Sequence, residues 1–442
     1  MQPTWTCYLT IWFDIRPHDD ILFNAGVHEK GLSGKTMTDQ NPQIRTDLEF
    51  FPIQNGDQNL LLVRDHLGLV QEGKAVPPQI YRFMTLLDGT KTARDIQMLL
   101  IRERGGILVG IDEVERILAS LDEAFLLDSE RYRQAREQIV TRFSTQTVRP
   151  CAHAGRSFPA QAEDLRKRLD EILSNHPAVS PPEGKGIALI APHIDLSVGY
   201  KVYASAYQWL THFSPSRVVV LGVGHQMSDL FSLTDKDFET PLGVVKNDRA
   251  VVHRLQEAGQ SVIFGNEFAH KSEHSVEFQV IFLQHLLKEN PFTLVPVLCG
   301  PLRPCLPEYS RNAYVETTGP FLKALSEVLL EENQETLLVA GVDFSHIGPK
   351  FGHRDPSTYI QDRAKAHDQK LLHALSEANA DAFWQESARE RDQYNVCGFS
   401  AMACLMEVLP PFKGHVLDYQ MWHEQPTRSA VSFAAVAFTS LA

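Results

Sequence analysis

With 442 residues, 43% of them hydrophobic and 22% charged, the chain has the composition of an ordinary globular protein and a length that predicts about two or three domains. Glycine (26) and proline (25) are too sparse for a low-complexity or collagen-like chain, and the length excludes a small scaffold held by staples. A formal net charge of -13 has the wrong sign for a protein whose main partner is nucleic acid or an anionic membrane.

The six cysteines, Cys7, Cys151, Cys299, Cys305, Cys397 and Cys404, are scattered without a C-x-x-C pair or a dense framework, so a reducing, cytoplasmic location is expected. The apolar run Tyr8 to Phe13 follows no basic residue, ends at Asp14 and precedes no small-residue cleavage site, so it does not read as a secretory signal. No stretch reaches the roughly 18 uncharged apolar residues of a membrane span.

In chain order, residues 1–45 show no sustained period and read as a loose leader. Leu48-Glu-Phe-Phe-Pro-Ile53 and Leu60-Leu-Leu-Val63 flank Asn55-Gly56-Asp57, a sequence suited to the positive φ angles of a tight turn, which predicts a β-hairpin. Helices are predicted over Gln79 to Leu87, Thr92 to Arg104 and Asp112 to Leu127, each bounded by capping or Gly signals. A hairpin with three short helices makes a winged-helix-like domain over residues 46–147. Leu87-Asp-Gly-Thr90, Ile96 and Leu121-Asp-Glu-Ala-Phe-Leu126 resemble the PqqD-like peptide-recognition family, which implies peptide binding. DNA reading is disfavoured because the third helix carries Asp112, Glu113, Glu115, Asp122 and Glu123 against Arg116. A purely structural appendage stays the plain alternative, since fold alone does not establish function.

Residues 148–442 change texture. A helix over Ala160 to Ser174 and a Pro-rich breaker at Ser180-Pro-Pro-Glu-Gly184 precede apolar strands alternating with helices, the pattern of an α/β domain. Strands are predicted at Gly186 to Pro192, Arg217 to Val223, Phe292 to Leu298, Thr336 to Val342, His415 to Met421 and Ala430 to Phe438. The longest amphipathic helices are expected after Gly199, Glu273 and Gly398.

Three of these strands run into histidine, at Ala191-Pro-His193, Leu221-Gly-Val-Gly-His225 and Val342-Asp-Phe-Ser-His346. Ligands in open α/β sheets bind beyond the carboxyl ends of strands, so the three imidazoles can share one pocket, with Asp343 as a carboxylate beside them. Two histidines plus one further protein ligand leave open positions on iron, copper or zinc. In Ser272-Glu-His-Ser-Val-Glu277, Ser272 can cap a helix whose first turn carries His274 and Glu277 on one face, a titratable pair suited to acid–base work; capping chemistry alone would also explain it. Cys397 in Tyr394-Asn-Val-Cys-Gly398 falls at a loop-to-helix junction where its thiolate can ligate a metal, although a lone cysteine more often is a small buried hydrophobe.

Taken together, Ala152-His-Ala-Gly-Arg-Ser-Phe158, Ala191-Pro-His193, Leu221-Gly-Val-Gly-His225, Thr240-Pro-Leu-Gly243, Glu273-His-Ser-Val-Glu277, Val295-Pro-Val-Leu298, Val342-Asp-Phe-Ser-His346 and Cys397-Gly398 resemble the Memo family, protein B of the AmmeMemoRadiSam system, over Arg149 to Ala442. The resemblance implies a fold like that of class III extradiol dioxygenases (LigB-like), with a metal, iron foremost and copper or zinc possible, at the carboxyl end of the central sheet. It implies His193, His225 and Cys397 as ligands, with His274, Asp343 and His346 lining the pocket and partners including a radical-SAM enzyme and a companion protein.

Two features depart from expectation. A thiolate replaces the carboxylate of the familiar non-haem iron triad, so dioxygenase activity does not follow from the fold. The run Ile194-Asp-Leu-Ser-Val-Gly-Tyr200 differs from the family's usual small and aromatic stretch, and Asp195 there is either a polar pocket contact or a helix cap. The leading expectation is a metal-dependent, dioxygen-using redox enzyme acting on a small or peptide-linked substrate. The alternatives are a non-catalytic metal- or peptide-binding module, and a metal-assisted hydrolase with Glu277 as base.

Overall fold

The computed structural model describes residues 41–55, 58–174, 184–263, 265 and 267–441. The predicted turn at Gly56-Asp57, nearly all of the leader and most of the Pro-rich breaker lie outside the described residues. The chain divides into two compact units at Ile139/Val140.

In the first unit, β1 (Leu48–Asn55) and β2 (Gln58–Asp65) pair antiparallel, and a two-residue β3 (Ala75–Val76) adds to β2. Helices α1 (Pro78–Met84), α2 (Ala93–Glu103) and α3 (Ile111–Glu123) follow, and α4 (Glu130–Thr145) starts in this unit. Thr92 and Asp95 form a reciprocal capping box on α2. Val114, Ile117, Leu118 and Leu121 of α3 bury against Leu48, Val63, Met84 and Ile96. Chain that reads as loose leader is tied in: Ile44 N–H donates to Leu87 O at 2.9 Å, and the buried Arg45 guanidinium binds Asp65 at 2.7 Å and Phe125 O at 2.8 Å. Helix α4 has no apolar stripe strong enough to predict.

The second unit continues with β4 (Val148–Arg149), α5 (Ala162–Ser174), β5 (Gly186–Ala191), α6 (Leu196–Leu210), β6 (Arg217–Val223), β7 (Phe231–Leu233), β8 (Asp237–Thr240), β9 (Gly243–Asn247), α7 (Arg249–Ala258) and α8 (His274–Leu286). After these come β10 (Thr293–Cys299), α9 (Arg311–Leu329), β11 (Thr336–Gly341), β12 (His346–Ile347), α10 (Ser357–Ser376), α11 (Ala380–Glu390), α12 (Phe399–Val408), β13 (Phe412–Glu424) and β14 (Ser429–Ser440). Every predicted strand is present to within a few residues. The longest helices are instead α9 and α10, with 19 and 20 residues, whose mixed polar sequences hide their apolar face.

One mixed sheet runs in the order β12-β14-β5-β11-β6-β10-β9-β8-β4, with β13 on β14 and β7 on β10. Its centre, β5-β11-β6-β10, is parallel and covered on both faces, which is why these strands read as unbroken apolar runs. Alternate residues face opposite cores: Ile190 and Leu221 meet α7, α9, α10, α11 and α12, whereas Leu189 and Val220 meet α5, α6 and α8. Among the described residues no helix is long and apolar enough to cross a membrane.

Registers bring the carboxyl ends of the central strands level, Ala191 opposite Gly341 and Val223 opposite Cys299. The loops carrying His193, His225 and Asp343 therefore leave the sheet along a single edge.

Candidate metal and active site

Helix α8 reaches that edge because two strands give way to it. A Cβ on Gly222 would lie 2.6 Å from the Ser275 hydroxyl, and one on Gly341 would collide with the Ser275 carbonyl. With both absent, the first turn of α8 lies against β6 and β11, and the Ser275 hydroxyl accepts from Val223 N–H at 2.9 Å. Gln279, one turn on, donates to Pro192 O at 3.0 Å and fixes the approach to His193.

His193, His225 and His274 consequently meet, with ring centroids 5.0–5.1 Å apart in each pair. Each offers one ring nitrogen, all within 4.8 Å of one another, a spacing that one ion can bridge. His193 donates through Nδ1 to Gly341 O at 2.9 Å, while His225 and His274 reach the Glu273 carboxylate through Nδ1 at 3.0 Å and 3.2 Å. Because these acceptors carry no proton, each Nδ1 carries a hydrogen, which leaves Nε2 as the nitrogen that coordinates a metal once its own proton is released.

The cap of α8 is Glu273 rather than the expected Ser272: its carboxylate accepts from the backbone N–H of His274 and Ser275, each at 2.9 Å. One buried carboxylate thus caps the helix and orients two imidazoles. The sequence reading placed Glu273 inside a motif without a role; its signal was an acidic residue one position before the helix, next to a histidine.

Cys397 closes the cluster at the amino end of α12, its Sγ 3.6 Å from His193 Nε2 and 3.6 Å from Asp343 O. Gly398 permits the approach, since a Cβ there would lie 2.8 Å from Asp343 O. Burial opposes ionisation of the thiol, but His193, His346 and hydrogen bonding to His193 and His225 more than offset it, lowering its pKa to about 5. Burial pushes His193 down, yet Asp343 and Cys397 raise it to about 9. His274, driven by burial and then by His225 and His193 against the pull of Glu273, falls to about 4 and is neutral at pH 7.

Asp343 accepts from His193 N–H at 3.0 Å and lies 3.8 Å from its Nε2. His346 heads β12, donates through Nδ1 to Phe344 O at 3.0 Å and stands within electrostatic reach of Cys397. The turn between them is anchored from below, where Ser345 donates at 2.6 Å to Asp368, a buried carboxylate that also receives Ser432 at 2.6 Å and Tyr419 at 2.7 Å.

Glu277 is not brought into the cluster. It is fully buried in an ion pair with Arg149 and accepts from Ala152 N–H at 3.0 Å, His153 N–H at 2.9 Å and the Cys151 thiol at 3.1 Å. Burial raises its pKa, but Arg149 and His153 outweigh that, and the shift is downward, the wrong direction for a base working near neutrality. Its geometry is that of an anchor for residues 149–153, and the hydrolytic alternative loses its base. That anchor stands the His153 ring 5.7 Å from His274, a neighbour without an assigned role in the sequence reading. Asp195 resolves as the cap of α6, accepting from Ser197 N–H at 2.9 Å.

A cavity of about 580 Å³ opens beside His225 and Cys397 and runs towards Arg303 and Tyr309. Fold and cluster define the class: an α/β protein with an imidazole and thiol centre at the carboxyl edge of a parallel sheet, facing a cavity of substrate size.

Comparison with known proteins agrees. The chain belongs to the Memo-like protein family, whose model matches residues 149–437. It is 29% identical over 410 residues to a MEMO1 family protein of Aquifex aeolicus, covering 89% of this chain and 100% of that one. A MEMO1 family protein of Thermus thermophilus is 27% identical, covering 77% and 97% of the two chains. A memo-1 homolog of Caenorhabditis elegans is 25% identical, covering 66% and 81%.

Proposed function

We propose that the chain is a metal-dependent redox enzyme, with non-haem iron as the metal, copper as an alternative redox metal, zinc as an occupant of the same ligands that would not support redox turnover, and dioxygen as co-substrate. The substrate is a small or peptide-linked molecule handled within a modification system that includes a radical-SAM enzyme and a companion protein. The carrying observation is the cluster of imidazoles whose Nδ1 protons are all spent on Gly341 O and Glu273. His193, His225 and the Cys397 thiolate are the assigned ligands, because a low thiol pKa supplies the anion that a buried cation requires. When bound, the metal supplies Lewis acidity and one-electron chemistry.

The remaining steps belong to the protein. Neutral His274, held by Glu273, offers its free Nε2 as a hydrogen-bond acceptor that orients the substrate. His346, with Nδ1 on Phe344 O, offers a second such nitrogen, and Asp343 keeps His193 in place. The cavity admits the substrate to the His225 and Cys397 side of the cluster.

The test is metal content of anaerobically purified protein together with oxygen consumption across a substrate screen. About one iron or copper per chain, lost in the His193→Ala and His225→Ala variants, is the expected result. Protein without bound metal would leave a binding module as the better description.

A further inference from the structure

The cavity beside the cluster is chemically lopsided. Its floor is apolar, contributed by Met227, Cys299, Leu302, Val396 and Phe399, and its volume of about 580 Å³ is that of a small-molecule site. Among the described residues, Arg303 is the one basic side chain lining it apart from the imidazole of His225.

That arginine is held in place by an ion pair with Asp392 and, among the described residues, donates no hydrogen bond. Its guanidinium lies over the face of Tyr309, 4.3 Å from the ring centroid, and the Tyr309 hydroxyl is itself fixed at 2.6 Å to the Ser387 hydroxyl. The nearest carboxylate, Asp392, is 3.9 Å away, beyond hydrogen-bond distance. A guanidinium carries five N–H donors in a planar fork matched to a carboxylate. Asp392 at its flank repels a second negative charge and so disfavours a phosphate dianion.

We infer that the cavity takes a monocarboxylate with an apolar body, its carboxylate gripped by Arg303 and its far end presented to His225 and Cys397. The inference rests on the proposed function only in taking the His225–Cys397 edge as the reacting one. Arg303 is then a specificity-determining residue.

The test is calorimetric titration of the full chain with 4-phenylbutyrate and with its uncharged amide. It is run on wild type, Arg303→Gln and Arg303→Lys, with and without prior chelation, and thermal unfolding checks that each variant is folded. Arg303 is 43% exposed, so neither substitution disturbs a core. The acid is expected to bind at least about tenfold tighter than the amide, the scale of one charge-assisted hydrogen bond. That preference is expected to vanish in Arg303→Gln, persist in part in Arg303→Lys and survive chelation. Equal binding of acid and amide, binding of neither, or a preference that survives Arg303→Gln overturns the inference. A preference indifferent to Arg303 but abolished by chelation would locate the carboxylate on the metal, sinking this inference while sparing the proposed function. Arg303-dependent binding in protein that takes up no metal would do the reverse.

Discussion

Glu273 and His225 meet at 3.0 Å between carboxylate and Nδ1, and the same carboxylate reaches His274 and caps α8. Such outer partners of metal-binding histidines are typically worth 10–100-fold in metal affinity. Glu273→Gln keeps one acceptor oxygen but cannot serve both rings, so metal affinity should fall by about that factor. Chelator competition measures it; unchanged affinity with an intact fold would remove Glu273 from the site.

The ligand assignment separates Cys397 from His274. Cys397→Ser should lose bound metal to the same degree as His193→Ala. His274→Ala should retain most of the metal while losing turnover. Metal analysis beside oxygen uptake distinguishes the two, and the opposite pattern would make the three histidines the ligand set.

The contact of α8 with the sheet edge predicts that Gly341→Ala is disproportionately harmful. Its Cβ would meet the Ser275 carbonyl, a backbone atom that cannot step aside. Overpacking of this kind costs about 1–3 kcal/mol, and the displaced first turn should carry His274 and Glu273 with it. Lower thermal stability combined with weaker metal binding is the expected pair of effects; a stable variant with normal metal affinity would refute it.

In the first unit, burial works against ionisation of Asp65, but the hydrogen bonds it accepts from Arg45 and from the backbone N–H of Val70 and Leu67, with the Arg45 charge, together outweigh burial and hold its pKa below the ordinary carboxylate range. Stability from a depressed carboxylate is complete above the unfolded value of about 4 and is lost as pH falls through the lower folded value. Hydrogen exchange over residues 44–127 should therefore accelerate as pH drops below about 4, after correction for intrinsic rates. Arg45→Met strands Asp65 in the interior and should cost about 3–5 kcal/mol at neutral pH. Exchange in that variant identical to wild type would count against the clamp.

Much was legible in the sequence, for physical reasons. The central strands are buried on both faces, so their positions follow from apolar runs alone, and the residues after them, His193, His225 and Asp343, follow from the rule that such strand ends carry sites. Cys397 was recognisable at a loop-to-helix junction, next to the Gly398 that caps the following helix. The short edge strands, α9, α10 and the packing of Ile44 and Arg45 escaped because their patterns are weak locally and depend on distant partners.

Tertiary structure alone decided which neighbours share a charge. Glu277 and His274, three residues apart on one helix, belong to different clusters because Arg149, 128 residues away, claims Glu277. Glu273, one residue before His274, serves the site because Gly222 and Gly341 let its helix approach. Sequence by itself determines which side chains exist and which lie at strand ends. Burial and long-range pairing, which fix protonation and orientation, come only from how the chain packs.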